Sequence, residues 1–282
     1  MTRTPSLPLS LARGAATSPF KRAGRPGATL PSDRPRLSAV PVAPGPLAAY
    51  RRICGFTGPD ALPVTYPHVL AFPLAMRLMT RRRFPLPVTG LVHTWIEITA
   101  HEVLHPSDRL ELMVYAAELS QHRRGTEVTV VTEARRAGEL VWESRSGYLS
   151  RHATRTGTAP AAPAPPAGET ASLPAVAEWR LPADLGRRYG AASGDRNPIH
   201  LYPLTARLFG FPRTIAHGMW TVARCLAEAP RPHLIHSVRA DFRAPVLLPG
   251  TVTYASDGAA FQLRDRDRVH LTGTAAARPA ER

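Results

Sequence analysis

Four stretches of the first half of the chain have the pattern of β-strands, and the first of them alternates apolar and polar residues as a strand with one buried face does. These stretches are 92–98, 109–116, 125–133 and 140–149. Two helical patterns precede them: Leu47, Tyr50, Ile53 and Cys54 share one helical face, and 72–79 is an apolar run with Pro73 expected in its first turn. We predict helices followed by an antiparallel meander over residues 46–155.

The same order of elements recurs in residues 176–282. A short strand at 179–181, a helix at 183–192 and an apolar helix at 219–227 precede strand patterns at 237–243, 250–255, 259–264 and 269–275. An Ala/Pro-rich segment, 156–175, separates the two halves and reads as a linker. The repeated order predicts an internal duplication in which Thr57-Gly58 corresponds to Ser193-Gly194, and Pro73 corresponds to Gly218.

Composition limits the class of protein. The net charge is +15, and residues 1–52 carry +8 of it, with nine Lys or Arg against one acid. Residues 1–45 lack apolar periodicity, so we expect a disordered basic tail. Its composition resembles that of a transit peptide, but it lacks the continuous apolar core of a secretory signal peptide. No apolar run approaches the ~20 residues of a membrane span. The two cysteines form no disulfide or metal pattern, which favours a reducing, cytoplasmic setting.

The positive charge favours an anionic partner, such as the phosphates of coenzyme A or an acidic acyl carrier protein. Nucleic acid is a weaker candidate, because the sequence has neither a basic helix nor a basic strand interleaved with aromatic residues.

The segment 192–200 is the strongest candidate for chemistry. Asp195 and His200 lie five residues apart, and Gly194 and Pro198 prevent the segment from forming a regular helix. Such a turn can aim a carboxylate and a neutral imidazole into one cavity, where they can hold a water and exchange protons with it. The alternative is that both side chains only brace a loop. Ser193 also suggests a hydrolase triad, but the Gly-x-Ser-x-Gly elbow is missing from the sequence.

A second candidate is Gly218, which opens the apolar helix at 219–227. The first N–H groups of a helix have no internal partner, and they can stabilise the oxyanion of an enolate. Three further residues are candidates for substrate binding. Asn197 either contacts substrate or organises the turn, His217 either contacts substrate or caps the helix, and Arg243 either meets phosphates or is a solvated edge residue.

The runs Ser193-Gly194-Asp195-Arg196-Asn197-Pro198-Ile199-His200 and Ala216-His217-Gly218-Met219 resemble the motif of the MaoC-like (R)-specific enoyl-thioester hydratases. From about Ser38 onward the chain is similar to the double-hot-dog 3-hydroxyacyl-thioester dehydratases of actinobacteria. The resemblance implies an α+β double hot-dog fold and interconversion of (R)-3-hydroxyacyl and trans-2-enoyl thioesters. It assigns water and proton handling to Asp195 and His200, and carbonyl binding to the Gly218 N–H.

The same resemblance implies no metal and no cofactor, and it leaves a homodimer open. The first half has no counterpart of the Asp195–His200 pair, so we expect a degenerate repeat that completes the scaffold and shapes the acyl tunnel. Two other functions stay open from the sequence: a hot-dog thioesterase, and a subunit that binds acyl thioesters without turning them over.

Overall fold

The computed structural model describes residues 27–58, 60–154, 173–266 and 268–279, together with residues 18, 21, 24 and 25. The predicted linker lies outside the described residues up to position 172. Within the described part of the chain, none of the helices has both the length and the apolarity needed to cross a membrane.

Among the residues that the structure describes, the first half has two helices and five strands. A short strand and a helix come first, β1 (Arg36–Pro41) and α1 (Pro44–Cys54), followed by the longer helix α2 (Tyr66–Met79). Four long strands complete the half: β2 (Leu91–Ala100), β3 (Arg109–His122), β4 (Gly125–Arg136) and β5 (Glu139–Arg151).

The second half repeats this plan and adds two short helices. It comprises β6 (Ala175–Leu181), α3 (Leu185–Ser193), α4 (Pro198–Leu201), α5 (Pro203–Leu208) and α6 (Gly218–Ala227), followed by β7 (Ile235–Phe242), β8 (Gly250–Ser256), β9 (Ala260–Asp265) and β10 (Arg268–Ala277). Each strand pattern of the sequence is therefore confirmed, with ends that move by a few residues.

All ten strands form one antiparallel sheet in the order β1-β3-β4-β5-β2-β7-β10-β9-β8-β6. The two five-stranded halves have the same internal order and meet at β2 and β7, where Trp95 pairs with Asp241 and Ile98 pairs with Val238. The predicted α+β class and the predicted duplication are thus visible in the topology.

Each half wraps its strands around one apolar helix. In the first half α2 packs against β3 and β4, and in the second α6 packs against β9 and β10. The halves are also joined through their helices, because the indole Nε1 of Trp220 in α6 donates to the carbonyl of Ile53 in α1 at 2.8 Å. One continuous apolar core results, and it holds the turns before α6 in fixed positions.

The structure corrects three expectations. Residues 36–41 are not disordered: they form β1, which pairs with β3 and buries Leu37. The sequence does not indicate this strand, because only one of its six residues is buried, and buried and exposed positions therefore do not alternate. Pro73 lies inside α2 and not in its first turn, because the helix begins at Tyr66.

The third correction concerns the overlay of the two halves. Helices α1 and α3 both end at a left-handed glycine, Gly55 with φ 83° and Gly194 with φ 80°. Gly55, and not Gly58, is therefore the counterpart of Gly194. The start of α2 at Tyr66 likewise replaces Pro73 as the counterpart of Gly218.

Candidate active site

A short hydrogen-bonded turn after α3 positions Asp195. The Ser193 hydroxyl donates to the Tyr189 carbonyl at 2.9 Å and accepts from the Asp195 N–H at 3.2 Å. Asp195 Oδ1 accepts from the Asn197 N–H at 3.1 Å. Asn197 Oδ1 in turn accepts from the Ile199 N–H at 3.4 Å, which caps α4. Asn197 therefore organises the turn, and its contact with substrate stays a prediction.

Two glycines of α3 let this turn approach the helix closely. A Cβ atom at Gly186 would lie 2.0 Å from the His200 carbonyl oxygen, and one at Gly190 would lie 2.7 Å from the Asp195 carbonyl oxygen. Both contacts involve backbone, which cannot swing away as a side chain can. The helix thus sets the positions of both predicted catalytic residues.

His217 joins Asp195 and His200 in one cluster. One side-chain N or O atom from each of the three lies within 4.8 Å of those of the other two. The rings of His200 and His217 stack with centroids 3.6 Å apart and planes inclined by 24°. His217 Nε2 lies 2.9 Å from the Asp195 carbonyl oxygen and 3.9 Å from its carboxylate.

Hydrogen bonds to carbonyl groups fix the tautomers of the two histidines when they are neutral. A carbonyl can only accept, so His200 Nδ1, which lies 2.7 Å from the Ile215 oxygen, carries the proton and leaves a lone pair on Nε2. By the same reasoning His217 Nε2 is protonated. Its Nδ1 is buried and has no hydrogen-bond partner among the described residues.

Burial dominates the electrostatics of the cluster. It lowers the pKa of His200, although the Asp195 charge and the Ile215 carbonyl act in the opposite direction. Burial, together with the neighbouring His200, holds the pKa of His217 well below its usual range. Burial also raises the pKa of Asp195 against the influence of His200 and the Asn197 N–H. Two neutral imidazoles beside a desolvated carboxylate can accept, hold and return a proton.

The same three side chains are the one group in the described residues with the spacing of a metal site. Imidazole lone pairs lie in the ring planes, and the stacked rings are nearly parallel. Their lone pairs therefore do not converge on a common point. The arrangement suits proton transfer better than metal coordination.

Gly218 is the first residue of α6, with His217 as the N-cap, so its N–H has no acceptor within the helix. A Cβ atom at this position would lie 2.8 Å from Cε1 of Phe242. In the first half, the N–H of Tyr66 at the start of α2 already donates to the Pro63 carbonyl at 2.7 Å. Of the two central helices, α2 and α6, only α6 thus begins with an N–H that has no acceptor among the described residues.

Residues of the first half extend the wall of the site. His93 stacks on Tyr148 with centroids 4.6 Å apart, and it lies 4.8 Å from the ring of Phe242, the residue that faces Gly218. The ring of His68 also stacks with that of His93, with centroids 6.1 Å apart. Burial raises the pKa of Tyr148, and the charge of Asp195 adds to the effect. The phenol therefore stays neutral and keeps its donor hydrogen.

The cluster contains Asp195, His200 and His217, with Gly218 beside it, but it does not include Arg243. The Arg243 side chain is exposed and donates through Nε to Thr272 Oγ1 at 3.3 Å. A role in substrate binding stays a prediction for this residue.

The sequence analysis does not identify four residues that shape the site: Gly186, Gly190, His93 and Tyr148. The two glycines had a detectable signal, since small residues four apart on a helix permit close approach of backbone. His93 and Tyr148 had none, because only the pairing of β2 with β5 and with β7 brings them near a turn in the other half.

Comparison with known proteins identifies relatives of this chain. The family described as "MaoC like domain" matches residues 169–273. The protein named 3-hydroxyacyl-thioester dehydratase X from Mycobacterium tuberculosis is 37% identical over 254 residues, which cover 87% of this chain and 89% of the relative. The crystal structure of HtdX from the same organism superposes with a TM-score of 0.75 at 32% identity, covering 87% of this chain and 100% of that one.

A more distant structure, a MaoC-like dehydratase from Phytophthora capsici, has a TM-score of 0.70 at 17% identity and covers 90% of this chain and 97% of that one. At this identity it supports the fold alone.

Proposed function

The chain belongs to the MaoC-like dehydratase family, and we propose that it interconverts trans-2-enoyl thioesters and (R)-3-hydroxyacyl thioesters. The reaction is that of a hydro-lyase: hydration adds water across C2 and C3 of the enoyl group, and dehydration removes it. Acyl groups attached to coenzyme A or to a carrier protein both present the required thioester.

In the hydration direction, Asp195 and His200 hold one water against C3. His200 Nε2 has a lone pair, because Nδ1 is committed to the Ile215 carbonyl, so Nε2 accepts the proton as the water oxygen bonds to C3. Asp195 orients the water and shares the proton relay that returns a proton to C2. Dehydration uses the same groups in reverse.

The electron pair of the C2–C3 double bond moves onto the thioester oxygen as the water attacks. The N–H of Gly218 donates to that oxygen, and the positive end of the α6 dipole adds to the stabilisation. Losing one such donor costs about 3–4 kcal/mol of transition-state stabilisation in other enzymes.

His217 acts on the pair as a positioning residue. Its Nε2–H holds the Asp195 carbonyl, and its ring supports the face of His200. Because it lies against both residues, it fixes the distance between the carboxylate and the base.

One observation carries the proposal: the carboxylate of Asp195, the imidazole of His200 and the first residues of α6 meet in one place in the second half. A thioesterase would use the helix N-terminus without needing a matched Asp/His pair at C3. A subunit that only bound acyl thioesters would need neither.

The experiment that separates these functions follows the ultraviolet absorbance of crotonyl-CoA and longer enoyl-CoAs while a thiol reagent reports free coenzyme A. Loss of the enoyl band without thiol release supports the hydratase. Thiol release without hydration would assign a thioesterase, and tight binding without either change would assign a binding subunit.

A further inference from the structure

Exposed apolar side chains of the described residues are concentrated on one short segment. Five large apolar side chains are exposed, and four of them lie between 202 and 209: Tyr202 (56%), Leu204 (72%), Leu208 (78%) and Phe209 (39%). We call this segment, which contains α5, the α5 surface. Contiguous exposed apolar patches rimmed by polar residues mark interaction sites.

Hydrogen bonds hold the α5 surface in place. The Thr205 hydroxyl lies 2.6 Å from the Pro198 carbonyl and 2.8 Å from the Tyr202 carbonyl, which ties α5 to α4. Ala206 is fully buried on the inner side, and its carbonyl accepts the N–H of Phe211 at 3.0 Å. The leucines therefore point outward from a fixed turn.

The segment of the chain that contains the α5 surface is rich in exposed arginine. Five exposed arginines lie between positions 185 and 217, and the single carboxylate in that stretch is Asp195 in the active site: the arginines are Arg187, Arg188, Arg196, Arg207 and Arg213. The Arg187 guanidinium lies 6.0 Å from the ring of Tyr202 and donates to the Leu201 carbonyl at 3.2 Å. Arg207 and Arg213 also donate to carbonyls, and within the described part of the chain none of the five forms an ion pair.

The α5 surface is continuous with the catalytic turn. Tyr202 follows His200 closely, and Arg213 lies just before Ile215, whose carbonyl fixes the His200 tautomer. A partner seated on Leu204 and Leu208 would therefore lie close to the turn that carries Asp195 and His200.

The positive charge around the α5 surface indicates which kind of partner it binds. A second copy bound about a two-fold axis would bring the same arginines against each other. Residues 1–26 are themselves basic, and 155–172 hold one Arg and one Glu, so neither segment supplies the missing negative charge. Coenzyme A can pair with arginine through its phosphates, but it leaves the leucines exposed. An acidic protein with a small apolar patch satisfies both requirements.

We propose that the α5 surface docks an acidic carrier protein that delivers the acyl thioester on a flexible arm. The inference rests on the proposed function, because the delivered group is the substrate of the Asp195–His200 site.

The test compares one enoyl group on two handles, crotonyl-CoA and the same crotonyl thioester on an acidic acyl carrier protein. The variants are Leu204→Ser/Leu208→Ser and Arg207→Glu, and the control is Arg123→Glu, an exposed arginine in the turn between β3 and β4. Because the altered side chains are exposed, all variants should keep the wild-type melting temperature.

We expect kcat/KM with the carrier-bound substrate to fall by about tenfold or more in both α5 variants, as apolar and charged contacts at the centre of an interface do when removed. With crotonyl-CoA the α5 variants should stay within about twofold of the wild type, and the control should do so with both substrates.

Equal losses with both substrates would overturn the proposal, as would a wild-type enzyme that shows no gain from the carrier. A change from dimer to monomer in Leu204→Ser/Leu208→Ser would reassign the surface to a second copy. Loss of binding to anionic lipid vesicles, with carrier kinetics unchanged, would reassign it to a membrane. Failure of the wild type to hydrate either substrate would contradict the proposed function itself and is distinguishable from all of these.

Discussion

The imidazole rings of His200 and His217 lie face to face, with centroids 3.6 Å apart. Two cations at this separation in a buried site would repel strongly, so the pair does not take up two protons near neutral pH. Each ring also has one nitrogen committed to a backbone carbonyl. The stack thus disfavours two protonated rings, and the Ile215 carbonyl holds neutral His200 in the tautomer that a base requires.

Buried neutral histidines predict that the fold loses stability in mild acid. Burial lowers the pKa of His68 to about 4 and that of His93 to about 3, and it lowers the pKa of His200 and His217 as well. The unfolded chain then binds more protons than the folded one below pH ~6.5, so stability is complete above that pH and falls as the pH drops. Between its folded and unfolded pKa values each histidine contributes a slope of at most about 1.4 kcal/mol per pH unit, and Asp195, whose pKa is raised, partly offsets them.

Urea unfolding at pH 7, 6 and 5 measures this slope. His93→Phe keeps an aromatic ring between Tyr148 and Phe242 and removes one titrating group, so between pH 6 and 5 its slope should be smaller by up to about 1.4 kcal/mol per pH unit. An unchanged slope in the variant would show that His93 is not a buried neutral group.

Gly186→Ala should impair catalysis without touching a catalytic side chain. The new Cβ would meet the His200 carbonyl oxygen at 2.0 Å, so the turn must move away from α3. We expect kcat to fall by about a hundredfold, as a displacement of ~1 Å at a catalytic group can cause. Gly45→Ala is the matched control, because it is a helical glycine of α1 with no atom within 4 Å of the added Cβ. The control should keep full activity, and equal activity in both variants would refute the role of Gly186.

The Gly218 N–H can be removed without breaking α6. Proline is tolerated in the first turn of a helix, and His217 already has the extended conformation that a following proline requires, with φ −67° and ψ 134°. Gly218→Pro and Gly218→Ala both place a Cβ against Phe242, but only the proline lacks the donor. We expect kcat of the proline variant to lie about 10²–10³-fold below that of the alanine variant. Similar kcat values in the two variants would mean that this N–H does not hold the oxyanion.

Tyr148→Phe tests whether the first half contributes chemistry as well as scaffold. The phenol is kept neutral by burial and by the Asp195 charge, and the variant retains the ring that stacks on His93. We expect kcat/KM to fall by about tenfold, the cost of one hydrogen bond to a charged or polarised group. Tyr115→Phe removes a hydroxyl that donates to Glu133 on β3 and β4, and it should leave turnover unchanged. Steady-state kinetics on both variants test this prediction. Equal kcat/KM values for Tyr148→Phe and Tyr115→Phe would show that the first half has a purely structural role.

The sequence predicted elements and chemistry well where a local pattern existed. Strand-like runs of residues predicted β2 to β5 and β7 to β10. The residues of the turn from Gly194 to His200 were recognisable because all of them lie within one short segment. Strand β1 gave no pattern, since backbone pairing with β3 and not side-chain burial holds it. The apolar run 72–79 predicts a helix with Pro73 in its first turn, but Pro67 occupies the first turn of α2, which begins at Tyr66.

The wall formed by His93 and Tyr148 could not have been predicted in the same way. Those residues reach the site only because β2 pairs with β7 at the centre of the continuous sheet. Contacts of this kind depend on how two halves of a chain are joined, which no local periodicity records.

The most direct test of the account replaces Asp195 with asparagine and measures hydration and stability on the same preparation. Burial raises the pKa of Asp195, so the ionised carboxylate is destabilising where it stands, and a neutral amide of the same shape should relieve that cost. With crotonyl-CoA we predict that Asp195→Asn loses about 10³-fold or more in kcat, while its melting temperature equals or exceeds that of the wild type. Retained hydration in a folded Asp195→Asn protein would contradict the central claim that Asp195 and His200 carry the water and its proton.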